Sequence, residues 1–193
     1  MFIKNYFENI NYISKNIDKK KINQLVKYLV RVKKAKGRVF FLGVGGSAAN
    51  CSHAVNDFRK LCNIEAYTPT DNVAELTART NDEGWENSFD AWLKVSQLKK
   101  KDLVFIFSVG GGNLKKKISL NIVNAIKFCK KKNTKVISIV ARKDGYSFNN
   151  SNCSLVIPIN NKKYITPLSE AYQAVIWHLL VSHPKLQSNK TTW

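Results

Sequence analysis

Hydrophobic residues recur at helical spacing along the first part of the chain: Phe2, Tyr6, Ile10 and Ile13, then Ile22, Leu25, Val26, Leu29 and Val30. The pattern breaks near Asp18 and stops at Gly37, which predicts two helices over about 3–35. Beyond them the apolar positions become continuous. "RVFFLGVG" (38–45), "DLVFIFSV" (102–109), "KVISIV" (135–140) and "SLVIPI" (154–159) lack the alternation of a half-exposed sheet and read as parallel strands covered on both faces. Helical patterns fall between and after them, at 47–62, about 86–98, 114–132 and 168–183. Strands alternating with helices predict an α/β fold, a three-layer α/β/α sandwich on a mainly parallel, flavodoxin-like sheet with an N-terminal helical arm.

Ligands of such sheets sit beyond the carboxyl ends of the strands, so the loops after residues 43, 108 and 140 are where chemistry is expected. Two of these loops are glycine-rich. The first, Gly43-Val44-Gly45-Gly46-Ser47, opens a helix whose free amides and dipole favour an anion, although its spacing matches neither common nucleotide-binding glycine motif. The second, "FSVGGGNLKKK" (107–117), places Ser108, Gly110, Gly111, Gly112 and Asn113 before Lys115, Lys116 and Lys117, predicted in the first turn of the next helix. Cations there oppose the helix dipole unless an anion lies among them. A phosphate and a plain tight turn with solvated lysines both fit this pattern.

His53 and Asp57 stand at i and i+4 and share one helical face. "TPLSEAYQAVIWHLLVSH" (166–183) carries Glu170, Tyr172, Gln173 and His178 on a second, otherwise apolar helix. A carboxylate and an imidazole from each of two helices can move a proton beside a carbonyl or hold Zn²⁺, and a histidine on an apolar helix can equally be a core residue. Glu170 and His178 are separated by about 12 Å along an ideal helix. One small centre therefore reaches both only if Glu170 lies at an unwound helix start or serves another subunit. His183, before Pro184, marks a helix end.

The chain has 193 residues, 44% of them hydrophobic and 23% charged, which excludes a wholly disordered protein. A single domain is expected over 1–193, with N-terminal helices at 1–36, the α/β core at 37–185, and a flexible or docking tail at 186–193. Lys+Arg number 32 against 13 Asp+Glu, a formal net charge of +19. The lysines are dispersed in short runs without interleaved aromatics, so compositional bias is expected rather than nucleic-acid binding. Cys51, Cys62, Cys129 and Cys153 form no C-x-x-C pair and read as small core hydrophobes. No signal-peptide pattern or apolar run of about 18 residues occurs, and a reduced, cytoplasmic setting with no membrane partner is the expectation.

"GVGGSAANCSH", "DNVAELTARTNDEGWENSF", "FIFSVGGGN" and the late helix bearing His178 together resemble the sugar isomerase (SIS) domain and, within it, the phosphoheptose isomerases, in order from about residue 36 to 183. The resemblance implies conversion of sedoheptulose 7-phosphate to D-glycero-D-manno-heptose 7-phosphate through an enediol, for heptose and surface polysaccharide. It also implies a homotetramer with sites between subunits and no organic cofactor. By resemblance Asp57 and His178 are catalytic. His53, Asp57, Glu170 and His178 match positions that hold zinc in some members. Gly45, Gly46, Ser47, Asp82, Ser108, Gly110, Gly111, Gly112, Asn113 and Glu170 match sugar- or phosphate-binding places. The chain departs from the family with Asp rather than Glu at 57, Glu rather than Gln at 170, and S-V-G-G-G-N where the family has S-T-S-G-N-S. Those departures favour the other reading, a non-catalytic phosphosugar- or protein-binding regulatory module.

Overall fold

The computed structural model describes residues 1–191. Helices α1 (Phe2–Asn16) and α2 (Lys19–Lys34) form the arm, and Asp18 between them caps α2 by accepting from Lys21 N at 3.0 Å. Five strands follow: β1 (Val39–Leu42), β2 (Ala66–Tyr67), β3 (Leu103–Phe107), β4 (Lys135–Val140) and β5 (Cys153–Val156). All pair in parallel, in the order β2-β1-β3-β4-β5.

Successive strand side chains point to opposite faces and so build two cores. Val39, Phe41, Leu103, Phe105, Phe107, Ile137 and Ile139 pack with α1, α2, α3 (Gly46–Cys62) and α8 (Ile165–Val181). Phe40, Leu42, Val104, Ile106 and Val136 pack with α5 (Ser88–Val95) and α6 (Leu120–Lys131). The expected three-layer sandwich is therefore present. At the opposite end of the sheet from the glycine loops, the buried carboxylate of Asp102 accepts from Arg38 N, Arg38 Nη2 and Lys99 N, tying β1 to β3.

Several elements differ from the sequence expectation. Helix α4 (Val73–Glu83) lies in a stretch with no predicted element. It buries no residue and is held locally, by the Asn72 cap on Glu75 N and by Arg79 paired with Glu75 and Glu83. The short β2 and helix α7 (Tyr146–Asn150) were also not expected. The helix expected from 114 begins instead at Leu120, because Asn113 and Ile118 exchange both backbone hydrogen bonds and close a turn over 114–117. Lys115, Lys116 and Lys117 therefore lie in that turn and not on a helix dipole.

The tail docks rather than flexes: Leu186 is buried, Lys33 Nζ donates to its carbonyl, and Ser188 and Asn189 donate their amides to Leu61 O. Residues 192 and 193 of the expected tail lie outside the described residues. Among the described residues no helix is long and apolar enough to cross a membrane.

Candidate active site

Helices α3 and α8 meet along a buried polar seam. Gln173, fully buried, donates from Nε2 to Ser47 Oγ at 3.0 Å, and Asn50 Nδ2 donates to Gln173 Oε1 and to Glu170 O. A buried amide whose hydrogen bonds are met only in one register fixes how one helix sits on the other. One turn further along α8, the Trp177 ring packs 4.5 Å, centroid to centroid, from the His53 imidazole.

That register brings three predicted residues together. The rings of His53 and His178 lie 5.5 Å apart at nearly right angles, and His178 Nε2 is 4.0 Å from Asp57 Oδ2. Ligand atoms of His53, Asp57 and His178 all fall within 4.8 Å of one another. His178 Nδ1 is 2.8 Å from the carbonyl of Ala174. A carbonyl only accepts, so Nδ1 is the donor there, and in the neutral imidazole Nε2 is the lone-pair nitrogen on the side of Asp57. Asp57 Oδ1 accepts from Asn56 Nδ2 at 2.9 Å, which leaves Oδ2 facing the two imidazoles.

Two imidazoles and a carboxylate, with one imidazole oriented through its far nitrogen, are a donor set that suits Zn²⁺ with a fourth position open. Glu170, expected as a fourth ligand, is not among them. Its carboxylate lies instead against Gly46 at the start of α3, where an added Cβ would stand 2.5 Å from Glu170 Oε2. The cause is the two helical turns separating it from His178. An anion already occupies the dipole end of α3 that the sequence pattern offered to a phosphate.

The second glycine loop is folded on itself. Ser108 Oγ accepts Gly111 N at 3.0 Å, the Gly111 carbonyl accepts from Ser147 N and Oγ, and Gly112 O accepts Tyr146 N. Gly145 permits this, since a Cβ there would overlap the carbonyl oxygen of Gly110. Beside the loop lies a cleft of about 380 Å³, lined by Gly110, Gly112, Asn113, Lys116, Arg142, Asp144 and Thr166 among others.

Ser47 and Ser108, expected at the substrate, are both buried, and their hydroxyl oxygens accept inside the protein, from Gln173 Nε2 and Gly111 N. Gly45 is exposed at the α3 start, and Asp82 is exposed near the end of α4, accepting from Asn81. Arg142, Asp144 and Thr166 were missed by sequence reasoning. For Arg142 and Asp144 the signal was their place just past the end of β4, beside a loop already marked for chemistry, whereas Thr166, in the first turn of α8, carried none.

The four cysteines are buried and free, as expected of core residues. Burial pushes the Cys62 thiol to about 11 and Cys129 to about 12, and raises Cys51 and Cys153.

The SIS domain family matches residues 5–141. A phosphoheptose isomerase of Leptospira biflexa serovar Patoc is 30% identical over 165 residues, covering 81% of this chain and 78% of its own length. The lincomycin biosynthesis protein LmbN of Streptomyces lincolnensis is 26% identical over 160 residues, covering 77% of this chain, which spans 56% of LmbN. The structure of a phosphoheptose isomerase from Francisella tularensis superposes with a TM-score of 0.79 at 20% identity, covering 93% of this chain and 92% of that one, and so shares the fold. The chain belongs to the SIS domain family, in its phosphoheptose isomerase group.

Proposed function

We propose that the protein is an aldose–ketose isomerase acting on sedoheptulose 7-phosphate and forming D-glycero-D-manno-heptose 7-phosphate, a precursor for surface polysaccharide. The observation that carries this is the convergence of Asp57 Oδ2 and His178 Nε2, 4.0 Å apart, with His53 beside them. Asp57 takes the C1 proton of the ketose, leaving an enediolate with its charge on O2; the His178 Nε2 lone pair takes the O1 proton and delivers it to O2, and Asp57 returns a proton to C2 as the C1 carbonyl forms. Each such transfer by a positioned group is worth about 10²- to 10⁴-fold in rate. In place of that metal-free form, His53, Asp57 and His178 would hold a zinc ion, which when bound supplies a Lewis acid to polarise a substrate carbonyl, with His178 Nε2 then a ligand and not a proton relay. The second glycine loop, with its amides around Gly110 and Gly112, takes the phosphate.

The site is completed in a homo-oligomer, a tetramer by resemblance. Thr166 at the phosphate cleft and His178 are separated by about 18 Å of helix rise, more than a seven-carbon sugar phosphate spans. Around His178, itself 51% exposed, Val175 is 53% and Leu179 42% exposed, an apolar surface suited to a second copy.

Incubation with sedoheptulose 7-phosphate, followed by ¹H NMR, tests the assignment. Aldose anomeric signals are expected. Thermal stabilisation by the sugar phosphate with no product would instead establish a binding module.

A further inference from the structure

The second glycine loop itself brings few side-chain donors to the cleft beside it. Val109, Gly110, Gly111 and Gly112 contribute none, Ser108 is buried with its Oγ accepting from Gly111 N, and Asn113, whose Oδ1 accepts from Lys116 N, offers the Nδ2 amide. Arg142 enters from the end of β4. Its Cδ lies 4.0 Å from where a Cβ of Gly110 would stand, so the arginine stem passes over the glycine loop. Asp144 grips one edge of the guanidinium, accepting from Nε at 2.9 Å and from Nη2 at 2.7 Å. That pairing uses two of five N–H donors and leaves Nη1 and the second Nη2 proton free. Lys116 lines the same cleft, so two cations face one carboxylate there.

We propose that Arg142 is the residue that selects phosphorylated substrates, gripping the phosphate with the guanidinium edge that Asp144 leaves free. The inference rests on the reading that this cleft takes the phosphate of the sugar. Asp144 acts as a positioning residue. Its carboxyl is held down at about 2, first by the hydrogen bond from Arg142, so the pair stays intact across the working pH range. A planar fork held on one side matches two phosphate oxygens on the other, which a lysine at the same place does not do. The shortened side chains of the loop and the presence of Arg142 are then one arrangement, in which the donor arrives from the neighbouring strand end.

Inorganic phosphate and sedoheptulose 7-phosphate are titrated by calorimetry into the full chain and into Arg142→Ala, Arg142→Lys and, as a charge control at the opposite end of the sheet just before β3, Lys101→Gln. Arg142→Ala is expected to weaken both ligands about 10- to 100-fold, and Arg142→Lys to recover only part of that, while Lys101→Gln is unchanged. Where turnover is present, KM rises in Arg142→Ala more than kcat falls. Unchanged affinity in Arg142→Ala, full recovery with lysine, or no phosphate binding by the parent protein would each overturn the inference. If Arg142-dependent phosphate binding persists with no isomerisation, the proposed reaction fails and this inference stands. Isomerisation with an unaltered KM in Arg142→Ala leaves the proposed reaction standing and overturns the inference.

Discussion

His178 turns its Nε2 toward Asp57 Oδ2 at 4.0 Å because its other nitrogen is committed to the carbonyl of Ala174, one turn back on the same helix. A backbone bond thus sets the tautomer, and packing of α8 on α3 sets the distance. Asp57→Asn keeps the shape and removes the base, and His178→Gln removes the proton relay. Each is expected to lower kcat by about 10²- to 10⁴-fold with an unchanged circular dichroism spectrum. Turnover near the parent rate in either variant would remove that residue from the chemistry.

Gln173 is the hinge of the α3–α8 seam. Gln173→Ala leaves the buried Ser47 Oγ without its donor and takes one of two acceptors from the Asn50 amide, at a cost of about 1–3 kcal/mol. For a chain of this size each kcal/mol is worth about 2–4 °C in Tm, so a fall of several degrees in a calorimetric scan is expected. Activity should fall further than stability, because His178 loses its register against Asp57.

The apolar face around His178 gives a test of assembly. Leu179→Asp or Val175→Asp places a charge on a surface that a second copy is expected to cover. Sedimentation should show the parent protein as an oligomer and the variants as smaller species, with turnover lost in parallel. A parent protein that sediments as a monomer and still isomerises the sugar would rule out a shared site.

The thiols carry a pH dependence of definite sign. Burial raises the native pKa of Cys62 to about 11 and of Cys129 to about 12, above the value of 9.0 for an unperturbed thiol. The unfolded chain therefore loses these protons first. The thiols' contribution to stability is complete below about pH 9 and is lost as pH rises toward 11–12. At pH 8 the four thiols of the native protein should resist a thiol reagent that labels all of them after denaturation, as absorbance would show.

The sheet was legible in the sequence because strands buried on both faces must be continuously apolar, as in Leu103–Phe107. Helix α4 was not, since it buries nothing and its stability comes from the Asn72 cap and the Arg79 pairs rather than an apolar stripe. At the site, the i, i+4 spacing of His53 and Asp57 predicted one half, and helix rise already set Glu170 apart from His178. Its docking on Gly46 was not foreseeable, because that depends on how α8 crosses α3 and on the missing Cβ. The same holds for the 113–118 turn, where Asn113 caps Lys116 N and the backbone at Lys117 and Ser119 turns left-handed. Periodicity alone ran a helix through it.

Isomerisation in D₂O tests the central claim most directly. Sedoheptulose 7-phosphate incubated with the protein should yield aldose phosphate carrying deuterium at C2, read by ¹H NMR and mass spectrometry, and Asp57→Asn should abolish both product and exchange. Deuterium incorporation that persists unchanged in Asp57→Asn, or a parent protein that binds the sugar phosphate and exchanges nothing, would contradict it.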